Sequence, residues 1–183
     1  MAIYAAGVKV EYIEVSLKNK PQSLLDYSPK GTVPVVITPN GEVIDQSRDI
    51  MLWALHQADP ENWLLQNNML KQQEMTQLVD TCDMEFKLLL DRYKYFDRHP
   101  EFSQAEYRQE AEFFLKILDD RLTTRKYLMD EQMRFTDAAI FPFIRQFANT
   151  DKIWFTQSPY RNLQRWLDAC ISTTLFATIM KKT

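Results

Sequence analysis

The spacing of apolar residues changes near Pro60 and divides the chain into two parts. Before Pro60 the apolar residues form short β-branched runs that are interrupted by proline and glycine. After Pro60 they recur at steps of three and four residues, and no glycine occurs. The pattern predicts a mixed α and β domain over residues 1–59, a connector over residues 60–66 and an all-helical domain over residues 67–183.

The first domain contains patterns for a strand, a hairpin and short helices. Residues 8–15 alternate between apolar and polar, as in a strand, and residues 21–26 suit a short helix with proline in its first turn. The runs 35–37 and 42–44 flank Pro39-Asn40-Gly41. Because Asn-Gly suits the two positive-φ positions of a type I′ turn, the sequence predicts a β-hairpin here.

A helix is predicted after the hairpin. Asp45, Ser47 and Asp49 supply side chains that cap a helix start or complement its dipole. The face of this helix that we expect to be buried comprises Ile50, Trp53, Ala54 and Gln57.

The second domain contains four amphipathic patterns with helical spacing. They cover residues 75–93, 107–122, 138–148 and 160–170. The third pattern is apolar on almost every side, so we expect this helix at the centre of a bundle.

Composition narrows the class of protein. With 45% hydrophobic and 13% aromatic residues the chain can bury a core, and a net charge of −3 without a long basic run excludes an electrostatic footprint for nucleic acid. No apolar run approaches the ~20 residues of a membrane span, and the start lacks the basic region of a signal peptide, so a cytoplasmic location is expected. Cys82 and Cys170 lie in helical patterns, so we expect them to be buried apolar residues without a disulfide. His56 and His99 are far apart in the sequence and do not suggest a metal site.

The chain opens with the pattern of a helix end. Residues 2–6 lead to Gly7, which suits the position just past a helix C-terminus, but the helix has fewer than two turns. A helix that leads into a strand usually belongs to a βαβ unit, whose first strand precedes it. Two interpretations stay open: the chain begins inside an element, or it begins with a frayed N-terminal arm.

Three polar features of the first domain suggest one ligand site. A cis peptide bond before Pro34 would leave the backbone N–H and C=O of Val33 free to pair with a peptide-like ligand. Gln46 and Ser47 lie at a predicted helix start, which attracts a carboxylate, and Lys20 can face a second carboxylate. The alternatives are a trans proline on an edge strand, a plain helix cap and a solvated lysine.

Four segments resemble one known family. Leu-Lys-Asn-Lys-Pro at 17–21, Ser-Pro-Lys-Gly-Thr-Val-Pro-Val-Val at 28–36 and Asp-Gln-Ser-Arg-Asp-Ile at 45–50 resemble the N-terminal domain of glutathione S-transferases, especially omega-type and related bacterial members. Residues 135–148 resemble the signature helix of the C-terminal domain. The resemblance implies an α+β fold leaning towards all-α, in which an incomplete thioredoxin-like domain packs on an all-helical bundle.

The resemblance also implies a role for each candidate site residue. Val33, before cis-Pro34, would pair with the cysteinyl part of glutathione. Gln46 and Ser47 would hold the γ-glutamyl carboxylate, and Lys20 would lie near the glycyl end. Glutathione would be a co-substrate beside a small electrophilic or disulfide substrate, in a homodimer without metal, nucleic acid or membrane partners.

Two departures from the family pattern affect function and stability. The family's catalytic Cys, Ser or Tyr lies in the turn after a first strand that has no counterpart here, so no catalytic residue is assigned. By the length of a typical strand and loop, the resemblance implies that roughly 15 to 20 residues are missing. This chain is expected to be inactive, whereas the complete gene product would perform glutathione conjugation or thiol transfer; the alternative is a non-catalytic scaffold that binds another protein.

We also expect the unpaired residues 8–15 to rearrange or to pair between chains. Arg134 stands where the family has an N-capping Ser or Thr. We expect the lost cap to cost about 1 kcal/mol, which Thr136 and Asp137 offset in part.

Overall fold

The computed structural model describes residues 1–181 and forms two compact units, Met1–Glu61 and a second unit that begins at Asn62. The elements of the first unit are α1 (Ala2–Ala5), α2 (Gln22–Tyr27), β1 (Val36–Ile37), β2 (Val43–Ile44) and α3 (Ser47–Gln57). Those of the second are α4 (Met69–Thr81), a π-helical turn (Cys82–Phe86), α5 (Lys87–Lys94), a 3₁₀ turn (Phe96–Arg98), α6 (Gln104–Arg121), α7 (Phe135–Thr150), α8 (Lys152–Gln157), α9 (Arg161–Ile171) and α10 (Thr174–Ile179). The predicted α+β class with a helical majority is confirmed. The predicted domain bounds stay a prediction; Trp63, Leu64 and Leu65 are buried within the second unit.

The short helix at the start of the chain is present as α1. Gly7 follows it with φ of +66°, the left-handed conformation that the sequence predicts for a residue past a helix end. Helix α1 packs against α3 and buries Ala2 and Ala6. This packing stabilises a helix that is too short to persist alone in water.

The strand predicted over residues 8–15 is wrong for this chain. Among residues 1–181 the sheet consists of β1 and β2, and residues 8–15 belong to no ladder. Alternation favours an extended backbone, but a strand forms only where a neighbour supplies hydrogen bonds. Within the described chain, the backbone N–H and C=O groups of residues 9–15 have no such partner.

The predicted hairpin is present, but its predicted turn type is wrong. Val36 opposes Ile44 and Ile37 opposes Val43 in an antiparallel pair. The Gly41 N–H donates to the Thr38 carbonyl at 2.9 Å, so the central turn residues are Pro39 and Asn40 rather than Asn40 and Gly41. Proline fixes φ near −65°, which excludes a type I′ turn. Gly41, at φ of +84°, completes a type I turn with a following left-handed residue.

Helix α3 begins differently from the prediction. Gln46 is the N-cap residue and makes no side-chain cap, so the capping predicted for Asp45 and Ser47 does not occur. The buried face is Ile50, Ala54 and Leu55, whereas Gln57 is exposed.

The first long helix of the second unit is interrupted by the π-helical turn Cys82–Phe86. The buried residues Leu78, Cys82, Phe86 and Leu90 follow one another at four-residue steps. In a regular α-helix each such step rotates the side chain by about 40° around the axis. The π-helical turn contains more residues than an α-helical turn, so it compensates for this rotation and keeps all four side chains on the buried face.

The other three predicted helices are confirmed as α6, α7 and α9. Helix α6 begins with a reciprocal cap in which the Ser103 hydroxyl accepts from the Glu106 N–H and the Glu106 carboxylate accepts from the Ser103 N–H at 2.7 Å. Both cysteines are buried and free, as predicted. The aromatic centre of the second unit joins α7 to its neighbours: Phe86 lies 5.0 Å from Phe114 and 5.7 Å from Phe147, between ring centroids.

Arg134 at the start of α7 does not cap the helix, as expected from its chemistry. A guanidinium can only donate, so the cap is supplied by Asp137, whose carboxylate accepts from the Arg134 N–H at 2.9 Å. The Arg134 side chain instead binds Asp130 at 3.1 Å and the Asn62 carbonyl at 3.0 Å. Thr136 adds no cap, since its hydroxyl is buried without a hydrogen-bond partner in the part of the chain that is described.

A search of the described helices for a membrane span finds none of sufficient length and apolar character. Over the same residues, no group of three or more His, Cys, Asp or Glu side chains is arranged to hold a metal ion.

Candidate functional site

The register of the hairpin brings two of the three predicted ligand-binding segments together. Val36, the first residue of β1, opposes Ile44, the last residue of β2. Residues 33–34 come shortly before β1 and residues 46–47 shortly after β2. The segments 33–34 and 46–47 therefore lie at one end of the hairpin.

Ser47 is the first residue of α3 and is available to a ligand. Its side chain is exposed, and neither its hydroxyl nor its backbone N–H has a partner within residues 1–181. The first hydrogen bond at this end of the helix runs from the Ile50 N–H to the Gln46 carbonyl at 3.0 Å. A helix start of this kind offers N–H donors and a positive dipole end to an anion.

The backbone of Val33 lies at the same end of the hairpin as this helix start. The Val33–Pro34 peptide bond is cis, and the Val33 side chain is 45% exposed. In the described chain, neither the N–H nor the C=O of Val33 has a hydrogen-bond partner. A peptide-like ligand can therefore pair with this residue through both groups, as it would with the edge of a sheet.

Lys20 lies over the loop that leads to Val33. A Cβ atom built on Gly31 would come within 2.9 Å of both the Cδ and the Nζ atom of Lys20. Gly31 has φ of +60°, and its N–H donates to the Ser28 carbonyl at 2.7 Å. The glycine thus allows the loop its left-handed turn and leaves room for the lysine side chain.

Sequence reasoning missed the role of Gly31. The signal was the isolated glycine in Ser28-Pro29-Lys30-Gly31, since a glycine after a Pro-Lys pair is typical of a tight turn. Its contact with Lys20 joins residues that are far apart in the sequence, and no local pattern indicates such a contact.

These groups make up the candidate site, and no cysteine is among them. The donors are the Lys20 ammonium, the Val33 N–H and the Ser47 N–H and hydroxyl; the acceptors are the Val33 carbonyl and the Gln46 amide. This set suits an extended peptide with a carboxylate at each end.

Neither cysteine belongs to this site. Both lie in the second unit, where they are buried. Burial raises the pKa of the Cys82 thiol to about 12 and also raises the pKa of Cys170, to which the nearby Asp137 carboxylate contributes. A thiol with so high a pKa does not supply the thiolate that nucleophilic chemistry needs.

Comparison with family profiles identifies both parts of the chain. The profile of the glutathione S-transferase N-terminal domain matches residues 1–57, and that of the C-terminal domain matches residues 81–173. The chain belongs to the glutathione S-transferase family. The first unit is thus the thioredoxin-like domain of a glutathione S-transferase, and the second is its helical domain.

Solved glutathione S-transferases share this fold at low sequence identity. BphK, a bacterial glutathione S-transferase solved as a ternary complex, is 19% identical over 97% of this chain and 88% of its own, with a TM-score of 0.81. A family member from Pseudomonas fluorescens Pf-5, solved with two glutathione molecules bound, is 18% identical over 97% of this chain and 84% of its own, with a TM-score of 0.80. The URE2P6 glutathione transferase from Phanerochaete chrysosporium, in complex with oxidised glutathione, is 16% identical over 97% and 86%, with a TM-score of 0.80. No curated protein sequence matches the chain.

Proposed function

We propose that this glutathione S-transferase family protein binds glutathione at the hairpin end of its first unit. The observation that carries the proposal is the pairing of Val36 with Ile44, because residues 33–34 precede the first of these strands and residues 46–47 follow the second, at the same end of the hairpin. Membership of the family supports it, and so do the relatives that were solved with glutathione or oxidised glutathione bound.

The proposed pose uses each group according to its charge and hydrogen-bonding capacity. The γ-glutamyl carboxylate binds the Ser47 N–H and hydroxyl at the start of α3, with the Gln46 amide beside it. The cysteinyl residue pairs with the Val33 backbone beside Pro34. The glycyl carboxylate faces the Lys20 ammonium.

We further propose that this polypeptide binds glutathione but catalyses glutathione conjugation and thiol transfer poorly. The family reaction joins glutathione to a small electrophile or exchanges its thiol with a disulfide. Such chemistry needs a group that stabilises or supplies a thiolate. Neither buried cysteine can act in this way, and no other described residue is assigned that role. A homodimer and a cytoplasmic location, which the family resemblance implies, are part of the same proposal.

Replacement of one side chain tests the pose. Ser47→Ala removes a hydroxyl that donates to a carboxylate, so the Kd for glutathione should rise about tenfold. Isothermal titration calorimetry of the full chain measures the Kd. Ser172→Ala, at an exposed position of the second unit, serves as the matched control and should leave the Kd unchanged. Equal affinity of Ser47→Ala and the unsubstituted chain would contradict the pose.

A non-catalytic scaffold is the second candidate, and the burial of both cysteines favours it. A scaffold that no longer uses glutathione should pass through immobilised glutathione without retention. Retention that free glutathione reverses and that Ser47→Ala weakens would contradict a scaffold of this kind.

A further inference from the structure

The pair Asn40-Gly41 lies exposed in the turn of the hairpin. Of the seven asparagines in the chain, Asn40 is the only one that a glycine follows. A Cβ atom built on Gly41 would meet no atom of the described residues within 4 Å. Because Gly41 has no side chain and its surroundings are open, its backbone nitrogen can approach the side-chain Cγ atom of Asn40.

Thr38 holds the Asn40 side chain at this turn. Thr38 is buried, and its hydroxyl contacts the side-chain oxygen of Asn40. The same hydroxyl accepts from the Glu42 N–H at 3.0 Å, so its own proton can point towards Asn40. A donor at a carbonyl oxygen stabilises the negative charge that develops there when a nucleophile adds to the carbon. The contact with Thr38 therefore favours attack on the Asn40 Cγ atom.

The backbone hydrogen bond of Gly41 opposes the same attack. The Gly41 N–H donates to the Thr38 carbonyl at 2.9 Å, so the nitrogen becomes available only when the turn opens. The ladder beside the turn is short, because β1 and β2 pair over two residues each. Short exposed elements open locally at a small cost in free energy. The turn therefore slows the attack without preventing it.

We propose that Asn40 is a site of spontaneous deamidation. The Gly41 nitrogen, once its proton has passed to water or hydroxide, forms a bond to the Asn40 Cγ atom and closes a five-membered imide ring. The bond from Cγ to the side-chain nitrogen breaks, and this nitrogen takes up a proton and leaves as ammonia. Water then opens the ring at one of its two carbonyl carbons, which gives isoaspartate or aspartate at position 40. The reaction consumes one water molecule, needs no enzyme and does not depend on glutathione binding.

Either product changes the turn. The neutral amide of Asn40 becomes a carboxylate, which adds one negative charge two residues before Glu42. Isoaspartate also routes the main chain through the former side chain, which adds one backbone atom between positions 40 and 41. The Gly41 N–H then no longer matches the Thr38 carbonyl, so we expect weaker pairing of β1 with β2.

Mass spectrometry of tryptic peptides, after incubation of the full chain for several weeks at pH 7 and pH 9, tests the proposal. Residues 31–48 form one tryptic peptide, in which Asn40 is the only asparagine. We expect this peptide to gain about 1 Da and to elute as two products, isoaspartate and aspartate. The gain should be faster at pH 9, because the attacking nitrogen must lose its proton. The other six asparagines lie in other tryptic peptides and should react more slowly, so they serve as internal controls.

Two glycine variants separate this chemistry from simple exposure of Asn40. Gly41→Ala places a side chain beside the attacking nitrogen and should slow the mass gain about tenfold or more. Gly31→Ala is the matched control, because it lies in the same tryptic peptide but follows Lys30, and it should leave the rate unchanged. Circular dichroism checks that both variants keep their helices. A mass gain that never appears, a product that is aspartate alone, or a rate that Gly41→Ala leaves unchanged would overturn the proposal.

Discussion

The Asp137 carboxylate accepts three hydrogen bonds from three parts of the second unit. Its donors are the Leu128 N–H at 2.9 Å, the Arg134 N–H at 2.9 Å and the Trp166 indole N–H at 2.8 Å. These donors favour the charged carboxylate, but complete burial opposes it more strongly and raises the pKa of Asp137 from 3.8 to about 6. The folded chain therefore binds a proton at this residue more tightly than the unfolded chain.

This raised pKa predicts an unusual pH dependence of stability. Between pH 4 and 6 the folded state holds more protons at Asp137 than the unfolded state, so its contribution to the free energy of unfolding falls by about 3 kcal/mol as pH rises. Asp137→Asn has no carboxyl group that titrates in this range. Its amide N–H₂ also faces one of the three N–H donors, which lowers the free energy of unfolding by about 1–3 kcal/mol.

Urea unfolding of both proteins from pH 4 to 7, followed by tryptophan fluorescence, measures this effect. The stability of the unsubstituted chain minus that of Asp137→Asn should decrease from pH 4 to 6 and then level off. A difference that is constant or that grows with pH would contradict the assignment.

Sequence spacing reveals only part of this residue's environment. Arg134 lies three residues before Asp137, the spacing at which an N3 side chain reaches back to the N-cap N–H. Leu128 and Trp166 reach the same carboxylate from other segments, and only the folded chain shows these contacts. For the same reason, the sequence could not reveal that Arg134 binds Asp130 and the Asn62 carbonyl.

Among the elements, the helices were the most predictable and the N-terminal strand the least. In α6, α7 and α9 the apolar residues recur at steps of three and four, and this spacing indicates which face of each helix is buried, because packing against a core requires it. Residues 8–15 show strand alternation, but pairing depends on a partner that spacing does not specify. The Asn-Gly pair predicts the wrong turn type because Pro39, and not Asn40, occupies the first central position of the turn, and its fixed φ excludes type I′.

The loop 28–34 provides a test of how one element positions the site. Gly31→Ala places a Cβ atom 2.9 Å from the Lys20 side chain and strains a backbone with φ of +60°. We expect a loss of about 1 kcal/mol in stability and a rise of the glutathione Kd by several-fold, since Lys20 must move. Gly41→Ala is the matched control: it strains a similar φ of +84° but meets no atom within 4 Å. A glutathione Kd that is raised no more by Gly31→Ala than by Gly41→Ala would contradict this role for the loop.

Across the whole molecule, the proposed binding of glutathione requires Lys20, Val33 and Ser47 to act on one ligand, although they belong to three separate segments. The segments of Val33 and Ser47 lie at one end of the hairpin, and Lys20 lies close to Gly31 in the loop that leads to Val33. Two-dimensional amide NMR of the labelled chain during a glutathione titration tests this requirement most directly. The amide signals of all three residues should shift with a single saturation curve. Shifts at only one of the three, or shifts confined to the second unit, would contradict the account.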